Sequence, residues 1–95
     1  MRIITKRRIN EFIRKHPDSK NALYIWYKII SKSSYKNFNE LRSTFPKADQ
    51  VKNLTVFNIG GNKYRLIAAI HYNRSILYIR HILTHSEYDK DKWKE

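Results

Sequence analysis

From Leu54 onward, apolar residues alternate with polar ones in three runs, Leu54–Ile59, Lys63–Tyr72 and Ile76–Leu83. This period-2 pattern predicts three strands joined as two hairpins. Gly60-Gly61 and Asn73-Arg74 separate the runs, and Gly and Asn accept the positive φ of tight turns. With these pairs as turn centres, both loops are even in length and the side chains sort into two faces. The expected core face collects Phe57, Ile59, Tyr64, Leu66, Ala68, Ile70, Leu77, Ile79 and Leu83. Position 81 falls there too, so His81 reads as structural. The other face is mixed, with Asn58, Lys63, Arg65, His71, Tyr78 and Arg80 among Val56, Ile67, Ala69, Ile76 and Ile82. In this register Arg80 stands opposite Ile67 and diagonal to Arg65. Two guanidiniums so placed on a half-apolar sheet require an anion between them.

The first half of the chain has helical spacing instead. Thr5 is placed to cap a helix from Lys6 to about His16. Its Ile9, Phe12 and Ile13 recur at i, i+3, i+4, while Arg7, Arg8, Arg14 and Lys15 take the wet side. Pro17 ends this helix. Asp18 or Ser19 then caps a second, carrying Ala22, Leu23, Trp26, Ile29 and Ile30 along one face to about Lys32. Arg2-Ile3-Ile4 is long enough only for an edge strand. Asn39 is placed to cap one or two helical turns reaching Phe45, and the stretch from Pro46 to Asn53 reads as an irregular loop. Beyond the third strand, Ser86 is placed to cap a short helix over Glu87–Trp93. With no repeat or low-complexity linker, residues 1–95 are expected to form a single α+β domain, an N-terminal helical hairpin packed on a small antiparallel sheet.

Charge extends the picture from fold to partner. Twenty Lys and Arg against eight Asp and Glu give a net +12, the electrostatic footprint of a protein that binds a polyanion. The excess is unevenly placed: residues 1–86 hold 17 basic and 4 acidic residues, residues 87–95 hold 3 and 4. Zero cysteines exclude disulfides, thiol nucleophiles and sulfur-ligated zinc. No apolar run approaches the ~20 residues of a membrane span. The opening Met1–Lys6 lacks the apolar stretch of a signal peptide, so a cytosolic protein is expected.

His16, His71, His81 and His85 are the four histidines, and none falls in an H-E-x-x-H pattern. Gly60-Gly61 reads better as a hairpin turn than as a phosphate cradle, and no metal or cofactor is expected. What remains is a cluster able to cleave RNA, with Arg65 and Arg80 from adjacent strands and His85 and Tyr88 just past the third. Metal-free cleavage needs a base for the 2′-hydroxyl, cations for the phosphorane and an acid for the leaving 5′-oxygen. Histidine moves a proton near neutral pH, and arginine keeps its charge and grips phosphate through two bonds. The plainer alternative is that His85 bonds a carbonyl at the strand end, Tyr88 is half-buried, and Glu87 and Asp89 only complement a helix dipole.

Asn58-Ile59-Gly60-Gly61-Asn62, Tyr64-Arg65-Leu66, Tyr78-Ile79-Arg80 and Thr84-His85-Ser86-Glu87-Tyr88-Asp89 together resemble the HigB-type toxins of bacterial type II toxin–antitoxin systems. The likeness extends to Ile3-Ile4-Thr5, Phe45-Pro46 with Asp49, and Val56-Phe57. It implies a RelE-like fold and an mRNA interferase that cuts message in the ribosomal A site, inhibited by a helix-turn-helix antitoxin of the HigA type. It also implies that Arg65, Arg80, His85 and Tyr88 form the functional cluster, with His85 or Tyr88 as base and Asp89 orienting a neighbour. Asn62 and Lys63 would bind RNA, and Lys6, Arg7, Arg8, Arg14, Lys15, Lys20 and Lys28 would hold ribosomal RNA. Short sheet edges and the lack of a heptad pattern predict a monomer when free and a hetero-oligomer with antitoxin. Two other functions fit the composition: a basic nucleic-acid-binding module without chemistry, and a ParE-like fold relative that poisons gyrase by protein contact.

Overall fold

The computed structural model describes residues 1–94. In chain order the elements are β1 (Arg2–Ile4), α1 (Lys6–Lys15), α2 (Lys20–Lys32), α3 (Phe38–Thr44), β2 (Asp49–Val51), β3 (Leu54–Ile59), β4 (Tyr64–His71), β5 (Ile76–Thr84) and α4 (His85–Asp89). Single 3₁₀ turns occupy Pro17–Ser19, Tyr72–Arg74 and Lys92–Lys94. The strands form one sheet in the order β1-β5-β4-β3-β2. Every pairing is antiparallel except β1 with β5, so the expected α+β class holds with a mixed sheet in place of a purely antiparallel one.

One face of the sheet carries the helices. Ile9 and Phe12 of α1 and Leu23, Trp26 and Ile30 of α2 are buried in one cluster with Phe57, Ile59, Tyr64, Leu66, Ala68, Leu77 and Ile79 of the strands. Each Ile, Leu or Phe side chain among them contributes roughly 1.5–3 kcal/mol on burial, so the helical hairpin and the sheet stabilise one another. Ile29, expected on the same stripe, is 36% exposed.

The caps differ from those expected. Thr5 is left-handed (φ 75°) and turns the chain out of β1, its side chain making no capping bond. Ser19 occupies the α2 cap position, but its hydroxyl donates to the His16 carbonyl at 2.6 Å. Asn37, not Asn39, caps α3, accepting from the Glu40 N–H at 3.0 Å. Thr84, not Ser86, caps α4, which stops at Asp89. Residues 49–51, expected to be loop, pair with β3 through a turn in which Lys52 has φ 56°. Three residues are too few for alternation to register.

The β3–β4 hairpin has the expected parity, with Ile59 facing Tyr64 across a loop in which Gly60 (φ 63°) and Gly61 (φ 70°) are left-handed. The β4–β5 hairpin also starts as expected, from His71 opposite Ile76 to Ala68 opposite Ile79. Then the register slips. Ile67 faces His81, and Arg80 is the extra residue of a β-bulge. Every side chain beyond it changes face relative to strict alternation. Ile82 packs on the main core, while Leu83 joins Val56, Ile67, Trp93 and Tyr88 in a second cluster on the opposite face. Strict alternation would have driven the His81 imidazole into the apolar interior at the cost of its hydration. The bulge places Ile82 there instead.

Candidate active site

The stretch Thr84–Asp89 is organised by its first residue. The Thr84 hydroxyl accepts from the Glu87 N–H at 3.2 Å, and the Glu87 carboxylate accepts from the Thr84 N–H at 2.9 Å and its hydroxyl at 3.1 Å. This capping box satisfies donors that a helix start leaves open. The bond from the Thr84 N–H is the main reason the Glu87 carboxyl titrates below its usual range. A five-residue helix has little stability of its own. The box, together with the His85 N–H bonded to the Lys63 carbonyl at 3.1 Å, holds it against the end of the sheet.

Once α4 forms, its i, i+4 spacing brings His85 and Asp89 together. His85 Nδ1 lies 2.9 Å from Asp89 Oδ2, and both side chains are half exposed. A carboxylate on Nδ1 fixes the ring and leaves Nε2 facing outward as the proton-accepting nitrogen. The Tyr88 ring stacks on Trp93, with centroids 5.1 Å apart and planes at 14°, and the Trp93 indole N–H donates to the Tyr88 carbonyl at 3.0 Å. Over the Tyr88 ring, 5.4 Å from its centroid, sits the Arg65 guanidinium. Arg65 faces Asn58 and Leu83 in the sheet, and its Nη1 donates to the carbonyls of Asn62 at 3.1 Å and Tyr64 at 3.2 Å. The rest of its five-donor fork makes no hydrogen bond among the described residues, so it can bind an oxyanion without first breaking a protein bond.

Arg65, His85, Tyr88 and Asp89 thus meet at one corner of the sheet. Arg80 does not join them. It stands three residues along β5 from Leu83, the partner of Arg65, which at ~3.3 Å per residue is about 10 Å away. There it lines a separate cleft with Arg8, His71, Arg74 and Tyr78. The diagonal position beside Arg65, expected for Arg80, belongs to His81, which shares a concavity with Leu83, Glu87, Lys90, Lys92 and Trp93. His81 is therefore not a core residue. Burial first, and then the positive charges of Arg8 and Arg80, lower its pKa, leaving it neutral at pH 7. One signal in the sequence could have revealed this, since a lone histidine on an otherwise apolar strand face is what a bulge removes.

The remaining basic residues are dispersed. Lys63 pairs with Asp18 at 3.5 Å, and Asp18 also accepts from the Tyr64 hydroxyl at 2.7 Å. Arg7 pairs with Glu11 at 3.3 Å, and Lys6 lies 4.8 Å over the Tyr27 ring. Arg14, Lys15, Lys20, Lys28 and Asn62 are exposed. Among the described residues, no three His, Asp or Glu side chains gather as a metal-ligand set.

Fold and corner together define a small basic α+β protein that holds acid–base groups and a fixed guanidinium on an open sheet face. The family model of HigB toxins, RelE-like toxic components of toxin–antitoxin systems, matches residues 19–91, and the chain belongs to that family. Such a toxin has an antitoxin partner. An mRNA interferase HigB of Escherichia coli O6:H1 is 36% identical over 93 residues, covering 95% of this chain and 90% of the relative. The mRNA interferase toxin HigB of Escherichia coli K12 and the mRNA interferase HigB of Shigella flexneri are each 35% identical over 92 residues, covering 94% of this chain and 88% of theirs.

Proposed function

We propose that this chain is an mRNA interferase, a single toxin domain over residues 1–95 that works in the cytoplasm as a ribosome-dependent endoribonuclease. One observation carries the reading: Arg65, Tyr88 and the His85–Asp89 pair converge at one corner of a strongly basic chain. The names of the relatives support the same activity. No described helix is long and apolar enough to cross a membrane.

In the reaction, His85 or Tyr88 takes the 2′-hydroxyl proton and the freed oxygen attacks the adjacent phosphorus. Arg65 bears on the dianionic phosphorane. The 5′-oxygen then leaves, taking its proton from water, and the products are a 2′,3′-cyclic phosphate and a 5′-hydroxyl. No metal is required for these steps. Arg80, displaced by the bulge, holds the RNA strand beside the scissile phosphate and is not a second jaw on it. Asn62, Lys63, Lys6, Arg7, Arg8, Arg14 and Lys15 contact message or ribosomal RNA. A HigA-type helix-turn-helix antitoxin converts the free monomer into an inactive hetero-oligomer.

Mapping 5′ ends of cellular messages after induction tests the reading. New 5′-hydroxyl ends within translated regions are expected, and purified ribosomes should be needed to reproduce them. Arrested replication with intact messages would replace this reading with gyrase poisoning. Salt-sensitive RNA binding that is indifferent to His85→Ala would replace it with a binding module.

A further inference from the structure

We propose that the cleft between the start of α1 and the β4–β5 hairpin is a second RNA subsite, taking one nucleotide of a single strand. Its base would lie against Tyr78 and His71, and its phosphate among Arg8, Arg74 and Arg80. The proposal rests on the reading of the chain as an RNA-acting toxin, but it concerns side chains that the reaction does not use.

The cleft has a volume of about 420 Å³, within the ~300–1,000 Å³ range of small-molecule sites. Its depth comes from Ala69, the small residue opposite Tyr78. A larger side chain there would fill the space beside the phenol. Tyr78 and His71 stand edge to face, with centroids 5.4 Å apart at 86°, and such rings give a base a stacking surface without demanding a particular sequence.

Charge supplies the independent argument. Three guanidiniums line the cleft and no carboxylate does. Arg8, Arg74 and Arg80 are exposed, and none forms an ion pair with the described residues, whereas Arg7, the neighbour of Arg8 on α1, is matched by an acid. Arg8 and Arg80 line the one cleft from α1 and from β5, and both add to the effect of burial in lowering the His81 pKa. Like charges gathered this closely repel until an anion enters. An acidic peptide would satisfy the arginines but has no use for a paired aromatic wall, so a nucleotide fits better. Arg80 and His81 are consecutive on β5, so a strand leaving the Arg65 corner can run along β5 into the cleft.

The test is fluorescence anisotropy of a labelled, uncleavable 2′-O-methyl hexanucleotide with the full chain. Tyr78→Ala should weaken binding roughly tenfold and Tyr78→Phe should preserve it. Arg74→Gln should weaken binding and lower its salt slope by about one. Arg74 and His71 are exposed, so Arg74→Gln and His71→Ala carry the test if Tyr78→Ala does not fold. On ribosomes, slower cutting at unchanged ribosome affinity marks message as the occupant, and weaker ribosome affinity marks ribosomal RNA; either supports the subsite. Unchanged hexanucleotide affinity in all variants overturns it, even where wild-type protein cuts message. Unchanged RNA affinity with lost antitoxin binding also overturns it and assigns the cleft to an acidic segment of the antitoxin. Intact messages alongside weakened binding in the variants would refute the nuclease reading and leave the subsite standing.

Discussion

Arg65 places its guanidinium 5.4 Å from the centroid of the Tyr88 ring while donating to the carbonyls of Asn62 and Tyr64. The cation at the corner is therefore fixed before any ligand arrives, and in the proposed reaction no reorganisation would be needed as charge develops on the phosphorane. Arg65→Ala should lower single-turnover cutting on saturating ribosomes by roughly 10²–10³-fold, and Arg65→Lys should not restore it, because an ammonium lacks the planar fork. Arg80→Ala should instead weaken binding and cutting together, by about tenfold. A rate defect confined to the chemical step in Arg80→Ala would return that residue to the scissile phosphate.

His85 and Tyr88 can be separated by conservative change. Tyr88→Phe keeps the ring on which Arg65 and Trp93 pack and removes only the hydroxyl. His85→Ala should cost roughly 10²–10³-fold in cutting and Tyr88→Phe less, with ribosome affinity intact in both. Asp89→Asn leaves the imidazole without its anionic partner and should cost about tenfold, far below the effect of a buried triad carboxylate, because this pair is half exposed. The reverse order of losses, measured by primer extension on one message, would make Tyr88 the base.

His81 gives stability a pH dependence whose sign follows from its lowered pKa. The unfolded chain takes up the proton first as pH falls, so the stabilising contribution is full above the ordinary histidine range and declines as pH drops through it. The thermal midpoint should fall between pH 7.5 and 5.5, and His81→Asn should flatten that part of the curve. An unchanged slope in His81→Asn would show that another group governs the window.

The capping box can be tested locally. Thr84→Ala should cost about 1 kcal/mol, read as faster hydrogen exchange in α4 with the core amides unaffected. Glu87 titrates below its usual range, so its contribution is present at neutral pH and is lost as pH falls through the lowered folded value. Trp93, 5% exposed over Val56 and Ile67, should cost roughly 3 kcal/mol on change to Ala, and cutting should fall with it because Tyr88 loses its stacking partner.

Much of this arrangement was legible in the chain. The alternation of β3 and the start of β4–β5 showed which residues face the helices, the i, i+4 stripes located α1 and α2, and Thr84–Asp89 marked itself as a polar cluster after a strand. Arg80, His81 and Leu83 were misplaced because a bulge adds one residue within a strand and leaves the turn spacing untouched. Trp93 was expected at the end of a continuous helix. It instead covers the second cluster after Asp91 (φ 60°) breaks the helical path, a tertiary choice that local propensity does not encode. The pairing of Lys63 with Asp18 was not legible because it spans 45 positions of the chain.

The imidazole, the phenol and the carboxylate all ride on α4, which belongs to the smaller cluster around Trp93 and not to the helix-covered interior. Damage can therefore disarm the toxin without unfolding it. Cells that survive its induction should yield disarmed chains altered at Arg65 or between positions 84 and 89 that remain abundant, resist proteolysis and still titrate antitoxin, whereas escape changes at the buried positions of α1, α2 or β4 should remove the protein altogether.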